Sequence, residues 1–126
     1  VTIPEEIEMA VSYFNENYNT KISVAQYAES LHISTNWFIR NFKQHMKMSP
    51  AQYLLSLRMV NAQSLLENTD YSVGEIAEIV GYDNQLYFSR VFKKEYGVSP
   101  AQYRKRAENQ SAAPMESDVG EITRED

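Results

Sequence analysis

The 126-residue chain has no cysteine, one tryptophan, four glycines and four prolines. Without thiols, disulfide staples and thiolate-held metal sites are excluded, and stability must come from packing. The few glycines form no phosphate-cradling loop of the nucleotide-binding kind. No run approaches the 18 or so apolar residues that a membrane-spanning helix needs. The opening Val1-Thr2-Ile3-Pro4-Glu5-Glu6 lacks the basic-then-apolar order of a secretion signal. What is present, 43% hydrophobic and 23% charged residues, is a globular composition sufficient for one small domain or two very small ones.

Acidic residues are also missing from one long stretch. The net charge is -5, which at face value argues against a nucleic-acid partner. Yet no acid occurs from Ser30 to Leu66, where Arg40, Lys43, Lys47 and Arg58 stand. Residues 1–20 carry -4, residues 108–126 carry -5, and residues 21–107, with eleven basic and seven acidic side chains, carry +4. The total hides a basic middle between acidic ends.

That middle is duplicated. Ser-Pro-Ala-Gln-Tyr occurs at 49–53 and again at 99–103, an offset of 50, and nine of the twenty positions from 34 to 53 recur at that offset. Upstream the offset is 49: Ser23, Val24, Ala28 and Glu29 match Ser72, Val73, Ala77 and Glu78. The second copy has therefore gained one residue in a turn.

Each copy opens on a capping-box pattern, Ser23-Val-Ala-Gln26 and Ser72-Val-Gly-Glu75, which predicts a helix start. Val24, Tyr27, Ala28 and Leu31, and likewise Val73, Ile76, Ala77 and Val80, then form one apolar stripe at helical spacing. Gly81 suits the left-handed residue that ends a helix. A second helix is expected at about 34–47 and 84–96, with Phe38 and Phe42, or Phe88 and Phe92, facing inward. Its other face carries Asn36, Arg40, Lys43 and Lys47 in the first copy, and Gln85, Leu86, Ser89, Arg90 and Lys93 in the second. Two short helices joined by a tight turn, the second with such a face, describe a helix-turn-helix. Between the copies, Ser49-Pro50 starts a connector helix to about Glu67, with Tyr53, Leu54, Leu57, Val60 and Leu65 as its apolar face. Its length of roughly 27 Å, at about 1.5 Å per residue, is near the roughly 34 Å between successive major-groove faces. Ile3, Ile7, Ala10, Val11, Phe14 and Tyr18 predict an amphipathic helix at the front, and Ser99-Pro100 a short one at the end with Tyr103 inward. The fold class is thus all-α: seven helices forming two helix-turn-helix units, at about 22–47 and 71–96, joined by a long central helix at 50–67. Residues 1–107 form the domain; 108–126 read as a disordered acidic tail.

The run Gly81-Tyr-Asp-Asn-Gln-Leu-Tyr-Phe-Ser-Arg-Val-Phe-Lys-Lys94, followed by Gly97-Val-Ser-Pro100, resembles the signature of AraC/XylS-type bacterial transcription regulators, and the similarity covers about residues 3–106. The resemblance implies a cytoplasmic, sequence-specific DNA-binding regulator, usually an activator that contacts RNA polymerase. Its two recognition helices would enter successive major-groove segments of double-stranded promoter DNA. Carried over by position, base-facing side chains fall at Thr35, Asn36, Ile39 and Arg40 in the first unit, and at Asn84, Gln85, Leu86, Ser89 and Arg90 in the second. The resemblance also implies an N-terminal sensor in the full protein, either a sugar-binding cupin-like domain or a phosphorylated receiver domain. Because the chain begins at Val1 rather than methionine, a fragment is expected. Two departures from the pattern matter. His32 stands where the second copy has Gly81, so the first turn is expected to be strained or differently formed. Ile39 and Leu86 are apolar, suited to thymine methyls or to packing.

Chemistry assigns the roles. Arginine's fork matches O6 and N7 of guanine, which suits Arg40 and Arg90, a phosphate or carboxylate being the alternative; Asn36 and Gln85 suit adenine, or act as ordinary solvated or capping amides. Lys43, Lys47, Lys93 and Lys94 suit phosphates. Trp37 and Tyr87, equivalent by the repeat, are expected to pack at the edge of the helix pair, with stacking on bases as the alternative. His32 and His45 have no partner acids at helical spacing, so no metal site or other cofactor is expected, and no nucleophile, base and acid fall into a catalytic pattern. The competing function is a helical-repeat protein-interaction module, which would require an exposed apolar groove where these positions hold Arg and Lys.

Overall fold

A computed structural model describes residues 3–112. Among them are seven helices and no strand: α1 (Glu5–Asn17), α2 (Val24–Ser30), α3 (Thr35–Met46), α4 (Pro50–Asn68), α5 (Val73–Ile79), α6 (Gln85–Tyr96) and α7 (Pro100–Ala112). Hydroxyls start five of these helices. The Ser23, Ser34, Ser49, Ser72 and Ser99 side chains each accept the N–H three residues on, and Asn84 does the same for α6. The reciprocal bond of a full capping box is made by Gln52, Glu75 and Gln102. Gln26 does not return it, so the expected box at Ser23 is half a box.

Two cores lie side by side, with α4 shared between them. The first gathers Ile7, Ala10 and Phe14 of α1, Ala28 of α2, Phe38 and Phe42 of α3, and Leu54 of α4. The second gathers Met59, Ala62 and Leu66 of α4, Ile76 and Ala77 of α5, Val80, Tyr82, and Phe88 and Phe92 of α6. The duplication is therefore a four-helix one: α1–α4 in the first unit, α4–α7 in the second. Tyr53 closes the first core edge-on against Phe42 at 5.6 Å and 70°; Tyr103 closes the second against Phe92 at 5.5 Å and 74°.

Serving two cores changes the connector. Its N-terminal half turns Leu54 inward and its C-terminal half turns Met59, Ala62 and Leu66 inward, on a different side of the helix. The single apolar face expected through Val60 does not exist. Val60 prolongs the first unit's stripe into the half that serves the second unit, and it is 58% exposed. The last helix is not short: it runs thirteen residues to Ala112, past the boundary expected at 107, because Ala107 to Ala112 contain no helix breaker. Residues 113–126, most of the expected disordered tail, lie outside the described residues.

Candidate nucleic-acid interface

The turn between α2 and α3 spans residues 31–34 and that between α5 and α6 spans 80–84, so the residue gained by the second copy sits there. Both turns close α2 and α5 alike. Ile33 and His32 donate to the carbonyls of Ala28 and Glu29, at 3.2 and 2.9 Å; Tyr82 and Gly81 donate to those of Ala77 and Glu78, at 2.8 and 3.1 Å. This double bond pattern requires a left-handed residue at the helix end. Gly81 takes it at φ 105° and His32 at φ 60°. The first turn is thus the same turn, strained by a side chain, rather than a differently formed one.

The turn aims the next helix. In α3, Phe38 and Phe42 are fully buried, which leaves Asn36, Ile39, Arg40 and Lys43 exposed on the face away from the core, with Thr35 half-buried at its start. Lys47 is not on that helix: it is the left-handed cap at φ 66°, and its N–H bonds to the Lys43 carbonyl at 2.9 Å. In α6, Phe88 and Phe92 are buried while Gln85, Leu86, Arg90, Lys93 and Lys94 are exposed and Ser89 is half-buried. Asn84 is engaged at the cap, where its Oδ1 accepts the Tyr87 N–H at 2.9 Å. Gln85 folds back over α5: a Cβ on Gly74 would lie 2.8 Å from its Oε1. Beside this helix start, Lys21 and Asp83 form an exposed ion pair at 2.8 Å. The hydrogen bond from Lys21 holds the Asp83 carboxyl below its ordinary range and raises the Lys21 ammonium.

Trp37 and Tyr87 part company. Trp37 packs partly against the first core, as expected, but Tyr87 is 57% exposed next to Leu86 at 64%, touching the Tyr82 ring at 5.8 Å between centroids. The repeat concealed this, because equal sequence position does not give equal cover. Two bases of the basic middle also prove to be internal. Arg58 donates to the carbonyls of Tyr18 and Thr20, and Arg104 to those of Leu66 and Thr69. Neither lies at an equivalent position of the repeat, so only the apolar neighbours Leu57, Met59 and Tyr103 hinted at an inward role.

The arrangement presents, from each unit, one helix whose exposed face carries an arginine flanked by amides and lysines. Such a face can lie in a groove, offering fork donors to base edges and point charges to phosphates. A model of a helix-turn-helix domain family matches residues 27–106. The chain is 38% identical over 101 residues to the raffinose operon transcriptional regulatory protein of Pediococcus pentosaceus, covering 80% of this chain and 36% of that protein. It thus spans about a third of the length of such relatives. Among solved structures, the C-terminal domain of AraT, a response regulator from Geobacillus stearothermophilus, superposes with a TM-score of 0.79 at 36% identity, covering 84% of this chain and 88% of that one. The DNA-binding domain of AdpA, a global transcriptional factor solved with a target DNA, gives 0.77 at 29% identity, covering 89% and 99%. The interaction-module alternative is not favoured by these likenesses. The chain belongs to the AraC-type helix-turn-helix family of DNA-binding transcription regulators.

Proposed function

We propose that α3 and α6 enter two successive major-groove segments of double-stranded promoter DNA. The observation that carries this is one continuous nineteen-residue helix, α4, built into the cores of both units, each of which exposes an arginine-bearing helix. A helix of that length spans about 28 Å and sets a separation that a flexible linker would not. Arg40 and Arg90 read guanine; Asn36 and, once swung off Gly74, Gln85 read adenine. Ile39 and Leu86 meet thymine methyls, Thr35 and Ser89 line the helix starts and sides, and Asn84 contributes its amide N–H₂ while its oxygen caps α6. Lys43, Lys47, Lys93 and Lys94 hold phosphates. In the full protein this domain answers an N-terminal sensor and activates transcription by contact with RNA polymerase, in the bacterial cytoplasm where promoters lie.

The test is a mobility shift on a site selected from random DNA. Arg90 is exposed on α6, so Arg90→Ala should leave thermal unfolding unchanged and weaken the selected site by about 1–3 kcal/mol, roughly five- to 150-fold, with nonspecific binding nearly kept. Unchanged specific affinity contradicts the assignment.

A further inference from the structure

The helices of the two units barely meet: among the described residues, the substantial helix contacts run within α1–α4 or within α4–α7. Apart from α4, the α1–α2 loop crosses between the units among the described residues. Tyr18 at its start packs against both cores. Asn19 backbone lies so close to the second unit's turn that a Cβ on Gly81 would approach its Cα to 3.0 Å. Lys21 pairs with Asp83 of the same turn.

One side chain fastens this crossing. From α4, the Arg58 Nε donates to the Tyr18 carbonyl and its Nη2 to the Thr20 carbonyl, both at 2.8 Å. The central carbon of the same guanidinium lies over the Tyr82 ring, 5.0 Å from its centroid. Hydrogen bonds and ring contact thus serve different units: the N–H donors hold the loop that enters the first, and the cation lies over a ring in the turn that aims α6. A guanidinium can do both because it is planar, forked and permanently charged; an ammonium has no such face.

Arg104 uses the same device without the bridge. Its Nε and Nη2 donate at 3.1 Å to the Leu66 and Thr69 carbonyls, holding the α4–α5 loop inside the second unit. Resting on the DNA-reading proposal above, we infer that Arg58 is a positioning residue that fixes one helix-turn-helix against the other, and so sets the half-site spacing the domain accepts. Small angles matter at this scale. Across the roughly 34 Å between successive groove faces, a tilt of about 5° displaces a side chain by about 3 Å, close to one base-pair step.

The test compares Arg58→Met, which keeps the apolar stem, with Arg104→Met as the control for a lost backbone clamp. Each binds DNA sites selected by the wild-type chain, the same sites with two base pairs inserted between their halves, and a single half-site. Wild type and Arg104→Met should lose tenfold or more on insertion; Arg58→Met should lose less than threefold while binding the single half-site like wild type. In the free protein, residual dipolar couplings fitted separately to each unit should give one alignment tensor for wild type and Arg104→Met, and two for Arg58→Met. Wild-type spacing discrimination, or coincident tensors, in Arg58→Met overturns the positioning role. Should Arg58→Met not fold, Arg58→Lys, which keeps stem and charge but not fork or face, carries the same comparison. If the wild-type chain selects no DNA site, the DNA-reading proposal fails, and the couplings alone decide whether Arg58 orients the units.

Discussion

At His32 and Lys47 the backbone is left-handed, with φ of 60° and 66°, where the second unit places Gly81 and Gly97 at 105° and 80°. A Cβ in this region costs roughly 1–2 kcal/mol, partly returned by the lower entropy of a non-glycine residue when unfolded. The first unit therefore holds strain at both turns that the second avoids. We expect His32→Gly to raise stability by about 0.5–1 kcal/mol in urea unfolding. Gly81→Ala should do the reverse and cost more, about 2 kcal/mol or above, since the added methyl meets Asn19 backbone at 3.0–3.1 Å as well as an unfavourable φ. Equal and opposite small effects at the two sites would contradict the role given to the Asn19 approach.

The residue scale also holds a proton reporter. The hydrogen bond that the Tyr103 hydroxyl gives to the Glu67 carboxylate pushes its pKa up to about 12. A folded-state value raised above the unfolded one favours the folded chain fully below the ordinary tyrosine range near 10, and that support is lost as pH climbs through 12. Replacing the acceptor charge in Glu67→Gln should bring Tyr103 back toward 10, read by carbon-13 NMR of the phenol ring. A Tyr103 that already titrates near 10 in the wild-type chain would show that the bond is not kept in solution.

Among elements, α4 shows most plainly why sequence periodicity has limits. The offset of 50, the Ser-Pro starts and the Phe pairs were legible because each reflects one local rule: a cap, a fixed proline φ, a buried stripe. The connector obeys two cores in succession, so no single stripe describes it, and Val60 fell on a face with nothing to cover it. Met59, hidden from any one-face reading, is 1% exposed. Met59→Ala should cost about 2–5 kcal/mol, whereas Val60→Ala should change stability by less than about 0.5 kcal/mol. Comparable losses in chemical denaturation would show that the helix buries a different side. The same limit applies to the candidate site. Residue types at Arg40, Arg90 and the lysines were legible, but the diversion of Asn84 into a cap, the fold of Gln85 over Gly74 and the exposure of Tyr87 are tertiary facts. So are the backbone clamps of Arg58 and Arg104, since no repeat or motif marks an arginine whose partner is a carbonyl forty residues away.

For the whole molecule, a net charge of -5 conceals the property that matters. Acids collect on α1, as Glu5, Glu6 and Glu8 in its first turn, where they complement the positive end of the helix dipole. Exposed bases collect on α3 and α6. Even this basic middle is smaller than its count suggests, with Arg58 and Arg104 bonded internally and Lys21 paired to Asp83. If the proposed contacts of Lys43, Lys47, Lys93, Lys94 and their neighbours engage about six phosphates, affinity should fall with salt at a slope near -5 on a double-logarithmic plot. The proposal that two helices held by one rod read one face of DNA is open to guanine-methylation interference on a site selected by this chain. Interference should fall in two major-groove segments about 10 base pairs apart on the same face; interference confined to one segment, or none at all, would contradict it.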